Sequence, residues 1–137
     1  MADYRLKSEA DTRELAHRLA RTLPRGAILV LKGPLGAGKT TFVRYLAEAL
    51  GFRGRVTSPT YTLMHVYPTP KGPLLHADLY RLDDPGMAEE LGLFEEAEDA
   101  RLVAVEWGEK LALPGAYVLT LTPLPDGTRL ARLEEPE

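Results

Sequence analysis

The sequence predicts an α/β fold of the three-layer kind. A central mixed, mostly parallel sheet is flanked by helices, and a C-terminal antiparallel hairpin follows. Three observations predict it. Ala27–Leu31 and Leu102–Val105 are short, continuous apolar runs, the pattern of strands covered on both faces. Leu15, Leu19 and Leu23, and later Phe42, Leu46 and Leu50, step by four, as on the apolar face of a helix. "YVLTLTPLPDGTRLARL" alternates Leu with Thr and carries Asp126-Gly127, a hairpin turn signal. The length of 137 residues suits one domain, 1–137.

The elements are expected in this order. Ser8 opens the first helix: it lies three residues before Asp11, an approximate capping box, and acids crowd the first turn. Pro24 ends that helix and "RG" turns the chain into the Ala27–Leu31 strand. A glycine-rich loop leads into the second helix, and Gly51 stands where a helix C-cap glycine belongs. "SPTYTLMHVYP" begins as a polar loop and becomes strand-like, and "PLLHADLYRL" reads as a strand ending near Asp78. "DDPGMAEELGLFEEAED" is acidic and predicts one or two short helices with a solvated face. The Leu102–Val105 strand and the hairpin complete the chain, and the terminal "EEPE" is expected to fray.

Composition narrows the class. Apolar content of 45% with 27% charged residues is that of a globular protein, and a net charge of −3 argues against direct nucleic-acid binding by bulk electrostatics. Without Cys the chain has neither a disulfide framework nor a thiolate metal site. No signal-peptide pattern and no membrane-length apolar run is present, so a cytoplasmic protein without a membrane partner is expected. Asn and Gln are absent while Arg, Glu, Leu and Pro are plentiful; loss of thermolabile amides is one signature of a thermophilic host.

"GPLGAGKTT", Gly33 to Thr41, matches G-x-x-x-x-G-K-[ST], with Gly33, Gly38, Lys39 and Thr40 at the defining positions. The pattern lies between an apolar strand and an amphipathic helix, the context a phosphate-binding P-loop requires. Glycines let backbone N–H groups converge on a polyphosphate, and the following helix aims its positive end at the same anion. Lys39 is the expected partner of the β- and γ-phosphates, Thr40 of Mg²⁺, and Thr41 of the α- and β-phosphates.

Such a loop works with a carboxylate from another strand. Glu106, at the end of the Leu102–Val105 run, fits as a ligand of Mg²⁺ or its water; the competing reading is a salt bridge at the rim. Asp78 also ends a strand-like run. It fits either as support for the metal or attacking water, or as a structural cap beside Arg81. "TSPTYT", which contains Thr60, reads equally as a γ-phosphate-sensing segment or a Pro-anchored turn. His17 is placed on the polar side of the first helix, and His65 and His76 on strands, with no pair at metal spacing. Trp107 is either core or a partner contact. The chain has no Thr-Lys-x-Asp element for guanine, and the "DDPG" match to Asp-x-x-Gly lacks the leading apolar strand, so ATP is favoured over GTP.

"GPLGAGKTTF", "TSPTYTL", "HADLYRLDDP", "ELGLFE" and "VAVEW", in that order, resemble the TsaE (YjeE) family, from about Ser8 to Arg129. Pro34 stands where that family commonly has Asp, at a variable loop position. The resemblance implies a P-loop ATPase using ATP and Mg²⁺, with Gly36, Ala37, Gly38, Lys39, Thr40 and Thr41 around the phosphates. It implies Thr40 and Glu106 as the Mg²⁺ ligands, Asp78 as an acid needed for hydrolysis, and "TSPTYT" as a switch loop. It extends to Ser8 and Arg129 as further nucleotide contacts, against the alternatives of a plain N-cap and a solvated strand residue.

The implied role is accessory. The family's ATPase serves the modification of adenosine 37 to threonylcarbamoyladenosine (t6A) in tRNAs that read ANN codons. TsaB and TsaD transfer the threonylcarbamoyl group made by TsaC, and ATP turnover resets their complex. A monomer that hydrolyses ATP weakly alone, is stimulated by TsaB–TsaD and meets tRNA only through them is expected. A small-molecule or nucleoside kinase and a nucleotide-sensing scaffold are the alternatives.

Overall fold

A computed structural model of the chain describes residues 2–34, 36–56, 64–80, 92–107, 113 and 115–136. Within them the elements run β1 (Ala2–Leu6), α1 (Glu9–Thr22), β2 (Ala27–Lys32), α2 (Lys39–Ala49), β3 (Met64–Tyr67), β4 (Leu74–Asp78), α3 (Leu93–Asp99), β5 (Leu102–Glu106), β6 (Tyr117–Pro123) and β7 (Arg129–Glu134). The strands form one mixed sheet in the order β1-β7-β6-β2-β5-β4-β3. The four central strands β6, β2, β5 and β4 are parallel. Antiparallel strands close both sides, β7 and β1 on one and β3 on the other. Among the described residues, no helix is long and apolar enough to cross a membrane.

Helices cover both faces. Leu15 and Leu19 of α1 and Phe42 and Leu46 of α2 share a buried cluster with Leu29, Leu31, Leu74, Leu102, Ala104 and Leu119 of the sheet. Leu93 of α3 joins Leu75, Ala77, Val103 and Val105 in a second cluster. Successive β4 and β5 side chains therefore alternate between the two layers, which is why these strands read as unbroken apolar runs. The same alternation leaves His76 and Glu106 on the α2 side of the sheet.

The caps explain the helix limits. Ser8 Oγ accepts the Asp11 N–H at 3.3 Å, while the Asp11 carboxylate accepts the Lys7 N–H at 2.8 Å, one residue earlier than an ideal capping box. At the end of α2, Gly51 (φ +94°) lets its own N–H reach Glu48 O and the Phe52 N–H reach Ala47 O, both at 3.0 Å, a Schellman closure. β1 was not anticipated: of its five residues only Leu6 is buried, and its pairing partner β7 lies at the other end of the chain. The hairpin turn is longer than Asp126-Gly127 alone. Leu124 N–H donates to Thr128 O at 2.8 Å, Gly127 N–H to Leu124 O at 3.0 Å, and Gly127 (φ +86°) absorbs the extra residue.

Candidate active site

The C-terminal ends of β2, β4 and β5 come together, since Leu31 pairs with Glu106 and Glu106 with Asp78. Ligand sites of open α/β sheets lie outside such ends. Here the glycine-rich loop leaves β2 and delivers α2 to the same edge. Gly33 (φ +151°) lies so close to β6 that a Cβ on it would stand 2.6 Å from Leu121 O. Gly38 (φ +98°) is the N-cap of α2 and offers no side-chain cap, and no acid occupies that helix's first turn. The first amides of α2 lack helical acceptors, so this helix presents an uncapped positive end, unlike α1 with its Ser8.

A cleft of about 350 Å³ opens here, lined by Gly36, Gly38, Lys39, Thr40, Thr41, Asp78, Tyr80, Glu106, Trp107 and Arg129. Lys39 is 4% exposed; its ammonium donates to Gly33 O at 2.7 Å and stands 3.6 Å from the centre of the Trp107 ring. Glu106 is 3% exposed, and the Thr40 hydroxyl lies 3.1 Å from each of its carboxylate oxygens. Its Oε2 accepts from His76 Nε2 at 2.6 Å. Asp78 Oδ1 accepts the Tyr80 N–H at 3.0 Å, and Tyr80 packs on Trp107 with ring centres 5.1 Å apart. The Arg129 guanidinium lies 3.3–3.6 Å from where a Gly38 Cβ would be. The arrangement puts an uncapped helix end and two cations opposite a hydroxyl–carboxylate pair, with a second carboxylate beside it. Such a combination of charges and hard oxygens is chemically suited to a polyanion accompanied by a hard divalent ion.

The family model described as threonylcarbamoyl adenosine biosynthesis protein TsaE matches residues 6–128. The chain belongs to the TsaE family. A tRNA threonylcarbamoyladenosine biosynthesis protein TsaE of Aquifex aeolicus is 41% identical over 130 residues, 93% of this chain and 92% of that one. The protein of the same name from Streptomyces coelicolor is 48% identical over 101 residues, covering 71% and 67%. That of Rickettsia prowazekii is 35% identical over 136 residues, covering 96% and 94%. The crystal structure of Bacillus subtilis YdiB superposes with a TM-score of 0.80 at 28% identity, over 99% of this chain and 86% of that one. The TsaE fold is therefore the fold of this chain, hairpin included.

Of the nucleotide, metal and catalytic residues expected from the sequence, eight line the cleft together: Gly36, Gly38, Lys39, Thr40, Thr41, Asp78, Glu106 and Arg129. Gly33 and the buried Ala37 lie behind it and shape the loop. Ser8 caps α1 and is not among the lining residues. Thr60, with the rest of "TSPTYT", and Arg81 fall outside the described residues. Glu106 is interior and bound to Thr40 and His76, whereas a rim salt bridge would be exposed. Trp107 packs against the second core cluster, as its core reading expects, and also lines the cleft, with φ +60°.

Sequence reasoning missed two residues. Tyr80 carried no signal beyond its place two residues after Asp78. His76 had one, its two-residue spacing from Asp78, but a search for metal-binding His pairs does not find a His paired with a carboxylate.

Proposed function

We infer that this chain is a Mg²⁺-dependent ATPase serving t6A formation at adenosine 37 of tRNAs reading ANN codons, by acting on the TsaB–TsaD complex so that it turns over repeatedly. The observation that carries this reading is the Thr40 hydroxyl 3.1 Å from both oxygens of a buried Glu106, at the uncapped end of α2. The names of its relatives point to the same pathway.

The donor set suits Mg²⁺. Thr40 and Glu106 offer hard oxygens, and among the described residues no cluster of three His, Cys, Asp or Glu side chains forms an all-protein cage. Mg²⁺ characteristically takes one or two protein oxygens and fills its shell with phosphate and water. Bound there, it would neutralise charge developing on the β- and γ-phosphate oxygens. Lys39 would exchange Gly33 O and the Trp107 face for phosphate oxygens, and the amides of Gly36–Thr41 would bind the phosphates. Arg129 lies on the Gly38 side of the cleft, where its charge faces the same polyanion. Asp78 would accept a hydrogen bond from the attacking water and orient it. Burial strengthens each of these contacts, because the site competes less with bulk water.

Reconstituted tRNA modification tests this. With TsaB, TsaD and the activated threonylcarbamoyl donor, added chain should extend modification beyond one turnover per complex. ATP hydrolysis should be weak for the isolated chain and rise when the TsaB–TsaD pair is added. Equal hydrolysis with and without the pair, or multiple turnovers without this chain, would overturn the reading.

A further inference from the structure

His76 is the most completely buried titratable side chain near the cleft, at 0% exposure, yet it does not line the cleft. It occupies the middle of β4, paired with Ala104 of β5. Glu106 follows Ala104 by two residues, so the two side chains emerge on the same face in diagonal register, and the imidazole reaches the carboxylate across the strand gap. A carboxylate can only accept, so His76 Nε2–H is the donor in their 2.6 Å bond.

Packing alone does not account for a histidine there. Its Nδ1 is buried without a hydrogen-bond partner among the described residues, and its ring stacks on Tyr67 with centres 6.4 Å apart. An apolar ring would fill that space without the cost of leaving a buried nitrogen without a partner. The return lies in the one bond His76 makes. Glu106 has three rotatable side-chain torsions, and Thr40 touches both of its oxygens at one distance, which leaves the carboxylate free to tilt about that contact. The bond from the opposite side, to Oε2 alone, removes that freedom.

We propose that His76 is a positioning residue: its Nε2–H fixes the Glu106 carboxylate in the orientation that, with Thr40, receives the metal–nucleotide. This rests on the reading of Glu106 as a metal ligand. Hydrogen-bond partners of metal-ligating groups typically govern metal affinity by about 10- to 100-fold.

Equilibrium dialysis of labelled ATP across a Mg²⁺ titration, with an EDTA arm, tests the proposal without relying on turnover. Three variants separate the roles. His76→Gln keeps an N–H donor near the Nε2 position, His76→Asn places its amide nearer Nδ1, and His76→Phe keeps the ring and removes the donor. His76→Phe and His76→Asn should raise the Mg²⁺ concentration for half-maximal ATP retention by about tenfold or more while leaving metal-free binding within about twofold. His76→Gln should restore most of the lost Mg²⁺ response. Equal Mg²⁺ response in the Asn and Gln variants overturns the proposal, and so does a parallel loss of binding with and without metal. If His76→Phe does not fold, the Asn–Gln comparison decides alone. Glu106→Gln run beside them separates the two claims. If it leaves the Mg²⁺ response intact, the reading of Glu106 fails. If it abolishes that response while His76→Asn does not change it, only the positioning proposal fails.

Discussion

Lys39 and Trp107 form a contact that nucleotide, on the function proposed above, would break. The ammonium is 3.6 Å from the indole centre and bonded to Gly33 O, and Trp107 holds a left-handed backbone (φ +60°), which costs a non-glycine residue about 1–2 kcal/mol. Strain of this kind concentrates at functional positions. Because Trp107 is the sole tryptophan, its emission should change when ATP draws Lys39 away, and Lys39→Ala should abolish that change and lower hydrolysis about 100-fold or more. Stopped-flow fluorescence and a phosphate-release assay read the two effects; an ATP-induced emission change, or a hydrolysis rate, as large in the variant as in the native chain would contradict them. Gly33→Ala is a second residue-scale test. Its Cβ would lie 2.6 Å from Leu121 O at φ +151°, so a loss of about 1–3 kcal/mol is expected by chemical denaturation. At this scale the sequence was legible wherever a spacing rule exists. Gly33, Gly38, Lys39 and Thr40 follow from one pattern, and Glu106 from an acid at the end of an apolar run. His76 and Tyr80 were not, because their roles depend on which strands become neighbours.

The elements differ in how locally they are determined. α1 carries its own start signal, and Ser8→Ala should cost about 1 kcal/mol, read as a lowered denaturant midpoint. α2 carries a stop signal at Gly51 and no side-chain cap at its start, a deficit that leaves its amides available to an anion. β1 has neither start nor stop signal. It is held by backbone pairing with β7 and by two exposed ion pairs, Asp3–Arg132 and Arg5–Asp126, both 2.8 Å. The Arg132 hydrogen bond holds the Asp3 carboxyl below its ordinary value. The Thr128 hydroxyl and amide, then Arg5, do the same for Asp126. Carboxyls lowered in the folded state contribute stability that is complete above the unfolded value, about 3.9, and is lost as pH falls through the folded one. Hydrogen-exchange protection of the β1 amides, corrected for intrinsic rates, should therefore drop below about pH 4, ahead of β2. Loss of both strands together would contradict that order. Exposed pairs are screened, so the drop should be smaller at high salt.

For the whole molecule, sheet order is what turns separate motifs into a site. β5 lies between β2 and β4, so one edge gathers the glycine loop, Glu106 and Asp78, which are far apart in the chain. The apolar runs showed that these strands are covered on both faces. They did not encode that β5 inserts between β2 and β4, and the Glu106–His76 bond follows from that insertion. The hairpin matters at this scale too: it brings Arg129 from the end of the chain to Gly38, which no local pattern announces. A ligand bound to the folded state alone stabilises it by about 2.7 kcal/mol at 100 times its dissociation constant, so ATP with Mg²⁺ should raise the melting temperature by several degrees. The most direct test of the central claim is isothermal titration calorimetry of ATP in Mg²⁺ and in EDTA, on the native chain and on Glu106→Gln. Mg²⁺ should tighten binding to the native chain by about tenfold or more, some 1.4 kcal/mol, and should tighten it little or not at all in Glu106→Gln. The same tightening in both proteins would contradict the account.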